Sequence, residues 1–167
     1  MIQFITKESP AYNMLIMKIT IVAVPTDPSN PNAVYHWRIY CGLDDNYSVC
    51  LDMTPYDPFT RNGVLIVSPK NYAYTNQAVA IFEINTVKTR VTCNNLVQSI
   101  VNNKLDQYMF TKESTGCRYW VQTIVEYLST IDIIDIVHYN DLLTYIQQEH
   151  EQHPNNIPMP IQMGKFL

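Results

Sequence analysis

Glycine is scarce in this chain, with 4 among 167 residues, so turns must be built from proline, asparagine and aspartate. Charge is scarce as well. Charged residues make up 16%, and 11 Lys and Arg against 15 Asp and Glu leave a formal net charge of −4. The basic residues form no run, which removes the electrostatic footprint of a general nucleic-acid binder; Lys88, Arg90, Lys104 and Arg118 are the nearest approach to a patch. No apolar stretch is long enough to span a bilayer, and residues 1–7 lack a basic region followed by an apolar run, so a cytoplasmic location is expected. The four cysteines, Cys41, Cys50, Cys93 and Cys117, show no CxxC spacing, which argues against a disulfide framework and for reduced, mostly buried thiols. A Gly-rich phosphate loop and a serine nucleophile elbow are missing too.

What is present is apolar and aromatic: 47% hydrophobic residues, with 12 Tyr and 2 Trp, enough for a real core in one domain over residues 1–167. Residues 14–24 are a β-branched run stopped by Pro25, residues 33–41 and 47–53 have strand composition around a connection at residues 42–46, and residues 64–67 and 78–84 read as further strands. A loop is expected over residues 55–63. Helical spacing appears only later. Thr92 is placed to cap a helix carrying Leu96, Val97, Ile100, Val101 and Leu105, and further helices are expected over residues 117–128 and 140–151, the last closed by Pro154. The Pro-broken tail, residues 158–167, is expected to pack back along the surface. Strands first and helices later indicate an α+β fold, an antiparallel sheet with helices packed on one face.

Cys117 heads the second helix, where unpaired N–H groups and the positive end of the helix dipole favour thiolate, the form that attacks carbonyls. Ser114 or Thr115 is expected as its N-cap, and Gly116 leaves first-turn N–H groups open as oxyanion donors. Such a nucleophile needs an imidazole, and His36 is the one histidine inside a strand-like run. A turn centred on Asp44 would place residues summing to 88 opposite each other, so His36 faces Asp52, which could hold the imidazole in one orientation. Trp37, Tyr40, Gly116, Arg118 and Trp120 are the candidate substrate contacts, the aromatics as pocket walls and Arg118 toward the thiolate or a substrate carboxylate. His150 and His153 with Glu149 have a spacing open to a metal, but at a helix end they read as charges that suit the dipole, so no metal or cofactor is expected.

A histidine on an early strand, a polar residue on the next and a later cysteine at a helix start followed by aromatics resembles circularly permuted papain-like proteins. These include the lecithin:retinol acyltransferase-like enzymes and the PPPDE isopeptidases, with NlpC/P60 peptidases as an unpermuted counterpart. The resemblance implies Cys117 as nucleophile, His36 as base and Asp52 as third polar group; it departs at Arg118-Tyr119-Trp120, where those families tend to have an acidic or asparagine residue and another histidine. Over most of the chain the sequence is also similar to a family of small uncharacterised fungal proteins. That similarity is carried by His36-Trp37-Arg38, Leu51-Asp52-Met53-Thr54-Pro55, Asn71-Tyr72, Gly116-Cys117-Arg118-Tyr119-Trp120, Pro158-Met159-Pro160 and Gly164-Lys165-Phe166. It implies a fungal setting, with a secondary-metabolic role in view.

The expected activity is cysteine-dependent acyl transfer, by a hydrolase or an acyl or aminoacyl transferase, with ring closure by an internal amine as a variant. The substrate would be a small molecule or a peptidyl or aminoacyl donor, with nucleic acid entering only as a carrier. The alternative is a non-catalytic small-ligand or protein-binding module in which Cys117 is a core residue.

Overall fold

β-branched residues set the centre of the molecule. The computed structural model describes residues 1–57 and 59–167; Pro58, within the loop expected over residues 55–63, lies outside the described residues. Strand β2 (Lys18–Val24) is buried at every position after Lys18, as a strand covered on both faces must be, and it lies between β3 (His36–Gly42) and β6 (Ala80–Ile84). On the other side of β3 come β4 (Ser48–Pro55), β5 (Gly63–Lys70) and β1 (Ile2–Phe4), giving the order β1-β5-β4-β3-β2-β6.

The α+β class stands, but the sheet is mixed and not purely antiparallel, because β1 runs parallel to β5 with Gln3 opposite Ile66. A three-residue edge strand carries no periodicity from which its partner could be read. The run expected from residue 14 begins as a strand only at Lys18; a 3-10 turn at Pro10–Asn13 precedes it, and Met14 and Met17 are exposed.

Helix α1 (Cys93–Asn102) starts where Thr92 accepts a hydrogen bond from the Asn95 N–H at 3.2 Å, and it buries Cys93, Leu96, Val97 and Ile100. Between it and the next helix, β7 (Tyr108–Met109) pairs with β8 (Lys165–Phe166), so the tail folds back over the body of the protein. Helix α2 (Cys117–Thr130) buries Cys117, Trp120, Val121, Ile124, Val125 and Leu128, a helical stripe laid against β3 and β4. Helix α3 (Ile136–Gln152) starts a turn earlier than expected because Asp135 caps it, accepting from the Val137 N–H at 3.1 Å, and it packs on α2 and β6. The main core lies between the helices and the sheet face bearing Ile19, Ile21, Trp37, Ile39, Leu51 and Leu65. A smaller cluster of Val22, Val24, Tyr40 and Cys50 fills the reverse face under Tyr74 and Ala78. Among the described residues no helix is long and apolar enough to cross a membrane.

The β3–β4 hairpin pairs residues summing to 90, with Ile39 opposite Leu51 and Gly42 opposite Ser48, and not to 88 as expected. The cause is local. Asp44 Oδ1 accepts from the N–H groups of Asn46 at 2.7 Å and Tyr47 at 2.8 Å, which shapes the turn around Asp45 and moves the register by two. A shift of two keeps every side chain on its original face, whereas a shift of one would have reversed them all.

Candidate active site

The β3–β4 ladder stops at Ile39–Leu51, while β3 stays paired with β2 as far as His36–Val24 and β4 stays paired with β5 as far as Pro55–Gly63. The sheet therefore opens into a wedge at this end. Strand alternation sends Trp37, Ile39 and Cys41 to the helix-covered face, and His36, Arg38 and Tyr40 to the other. Cys117, at the start of α2, comes to the wedge from the helix side. His36 and Asp52 belong to the reverse face, and at the strand end the imidazole is within reach of both partners.

His36 Nε2 lies 2.5 Å from Asp52 Oδ1. They are diagonal neighbours rather than the directly opposed pair expected, and continuing the ladder sets Arg38 opposite Asp52 instead. Arg38 Nε sits 2.8 Å from Asp52 Oδ2, so the carboxylate holds the imidazole with one oxygen and an ion pair with the other. Arg38 was not among the expected site residues, although its position two along from His36 on the same strand face was a usable signal.

The imidazole lies near enough to the Cys117 thiol for each to shift the other's ionisation, and the backbone N–H groups of Trp37 and Arg118 also favour the charged sulfur. The electrostatics follow. Burial disfavours an imidazolium at His36, but hydrogen bonds to Asp52 and Cys117, with their charges, outweigh it and carry the pKa up to about 10. Burial likewise disfavours thiolate at Cys117, yet the His36 hydrogen bond and charge, then the two N–H groups, hold the thiol below its ordinary range. Asp52, penalised by burial, is kept below the usual carboxylate range by His36 and then Arg38. The three groups thus favour thiolate, imidazolium and carboxylate together.

Gly116, not Ser114 or Thr115, is the N-cap of α2, and no side chain caps the first turn. Its φ of 128° lies in the left-handed region, and a Cβ there would sit 2.8 Å from the Tyr108 hydroxyl, so both conformation and space require glycine. Tyr108 donates to the Gly116 carbonyl at 2.9 Å and accepts from the Gly164 N–H at 2.9 Å. What approaches Gly116 is the protein's own tail.

The aromatics expected as pocket walls are all buried. Trp37 and Trp120 are core residues under the helices, the latter donating from Nε1 to the Leu105 carbonyl, and Tyr40 packs on the reverse face near Tyr72. Arg118 is buried beside Cys117, its Nη2 donating to the Pro158 carbonyl. None of the described surface cavities is lined by Cys117, His36 or Asp52; the 290 Å³ cavity bounded by Met1, Asp57, Gln107, Tyr108 and Leu167 shares only Tyr108 with the site's surroundings. Among the described residues no group of three His, Cys, Asp or Glu could hold a metal ion; His150 Nδ1 instead faces the Ile157 carbonyl at 2.8 Å. Tyr108, Pro158 and Gly164 gave no local signal in the sequence, because each acts through a contact distant along the chain.

Fold and site together define an α+β protein with a Cys-His-Asp cluster seated where two central strands part. Residues 19–167 match the family model described as Domain of unknown function (DUF7770), and the chain belongs to that family. No curated protein and no solved structure matches it.

Proposed function

We propose that this protein is a cysteine-dependent acyl-transfer enzyme, and the observation that carries the reading is the His36–Asp52 pair beside the α2 N-terminus, with the Cys117 thiol and the imidazole shifting each other's ionisation. The Cys117 thiolate attacks the carbonyl carbon of an ester, thioester or amide, forming a C–S bond and an oxyanion that the uncapped first-turn N–H groups of α2 can receive. Collapse breaks the bond to the leaving group, which takes its proton from the His36 imidazolium. Water or an amine then gives a proton to neutral His36 and attacks the thioester, releasing the acyl group and restoring the thiolate and imidazolium. Asp52, fixed by Arg38, keeps the imidazole turned toward the sulfur throughout.

The donor is a small molecule or a peptidyl or aminoacyl compound, nucleic acid entering only as a carrier, and an internal amine acceptor would close a ring. Water access to the acyl-enzyme decides between hydrolase and transferase. The permuted papain-like relationship, a fungal secondary-metabolic role and a cytoplasmic location complete this proposal.

A second reading, a binding module that keeps Cys117 structural, is favoured by one observation: the described cavities do not reach the cluster. Incubation with a panel of activated esters and thioesters, followed by mass spectrometry of the intact protein and its peptides, separates the two. The enzyme reading expects an acyl mass on Cys117 that disappears on adding an amine; no adduct from any donor, with the protein folded, supports the binding module.

A further inference from the structure

Arg118 is the most awkwardly placed charge in the molecule. It is 7% exposed, and no salt bridge among the described residues involves it. Nη2 has the Pro158 carbonyl, but Nη1 is buried with no hydrogen-bond partner. A guanidinium offers five donors in a planar fork and is costly to bury without an anion, so a fork half filled by one neutral carbonyl is an incomplete arrangement. Cys117 supplies the one opposing charge felt there. The residue directly follows Cys117 in the first turn of α2.

We propose that Arg118 is the recognition group for an anionic substituent, a carboxylate or phosphate, carried by the acyl donor close to its reactive carbonyl. The proposal rests on the acyl-transfer reading and adds the substrate's charge class to it. The anion would take Nη1, and Nη2 as well if the Pro158 carbonyl withdraws, giving the paired hydrogen bonds that a guanidinium makes best with planar or tetrahedral oxyanions. Because Nη1 is closed to solvent, the donor must shift the tail at Pro158 as it enters. That same tail contacts Tyr108 through Gly164.

The test compares alkylation of Cys117 by iodoacetate and by neutral iodoacetamide in the folded protein. His36 attracts the anionic reagent in every variant, so the change on altering Arg118 is the informative quantity. The expected result is an iodoacetate-to-iodoacetamide rate ratio that falls about tenfold in Arg118→Gln and less in Arg118→Lys, which keeps the charge but loses the fork. Acetate and inorganic phosphate serve as competitors: slowing of the iodoacetate reaction by the first alone assigns a carboxylate, by the second alone a phosphate. Slowing by neither, or an equal ratio in wild type and Arg118→Gln, overturns the anion site while leaving Cys117 a nucleophile. Failure of Cys117 to react with either reagent defeats the nucleophile reading itself. Arg118→Met should keep or raise the melting temperature, since it removes a buried unpaired charge; a lowered Tm with an unchanged ratio would make Arg118 a structural residue and overturn the proposal.

Discussion

Cys50 and Cys117 are both buried thiols beside the His36–Asp52 pair, one acted on by the carboxylate and the other by the imidazole, and their chemistry runs in opposite directions. Cys50 lies on the reverse face, two residues from Asp52 along β4; burial first, and then the carboxylate's charge, push it up to about 12. Cys117 meets the same carboxylate through His36, and the intervening cation holds it down. Burial alone is therefore a poor guide to a cysteine's role, and the sign of the nearest charge decides it. Exposure points the same way: Cys117 is 9% exposed, against 3% for Cys50 and 0% for Cys41 and Cys93. The hydrogen bond to Cys93 and then burial raise Cys41 as well, so that thiol stays protonated.

The largest expected effect breaks this contrast outright. Cys117→Ala should abolish acyl-adduct formation, while Cys50→Ala leaves it at the wild-type level, both read by mass spectrometry. An adduct that survives on the Cys117→Ala protein would place the nucleophile elsewhere. Next comes His36→Gln, which removes the cation and proton carrier; adduct formation at neutral pH should fall by about a hundredfold or more, measured as a rate on the same donor. Asp52→Asn should fall less, about tenfold, because the imidazole loses the carboxylate that orients it.

Asp52 also sharpens the comparison through stability. Its folded pKa lies below the unfolded value, so its contribution is present above about pH 4 and disappears as pH falls through the folded pKa. His36 has the opposite sign: raised to about 10, it contributes fully below the unfolded value of about 6.5 and loses that contribution as pH rises through about 10. Melting temperatures against pH should thus show an acid-side loss that is reduced in Asp52→Asn. An identical acid limb in the variant would remove Asp52 from the account.

The smaller effects concern the scaffold. Gly116→Ala must place a Cβ at φ 128° against Tyr108, at an expected cost of about 1–3 kcal/mol in denaturant unfolding. Thr92→Ala removes the α1 cap, far from the thiol, at about 1 kcal/mol with no change in Cys117 reactivity.

Much of this was legible in the residues themselves. The apolar stripe of α2 and the position of Cys117 at its head follow from helical spacing, and His36 and Asp52 share a face because the true register differs from the expected one by an even number. Their diagonal placement, in place of the direct opposition expected, was not legible, since it depends on how the Asp44 side chain shapes its turn. Trp37, Tyr40 and Trp120 are expected around a pocket because aromatics suit pockets and cores alike; strand and helix alternation buries their side chains in the core. The β1–β5 pairing and the folding back of β8 onto β7 join chain ends to the interior over long sequence separations, and short strands leave no periodic trace of such partners.

The central claim is that His36 keeps Cys117 as thiolate. The rate of Cys117 alkylation by iodoacetamide against pH, in the folded protein, tests it most directly. The expected result is a midpoint below the ordinary thiol value of about 8.5 that rises in His36→Gln. A midpoint at or above 8.5, or reaction only after denaturation, would contradict it.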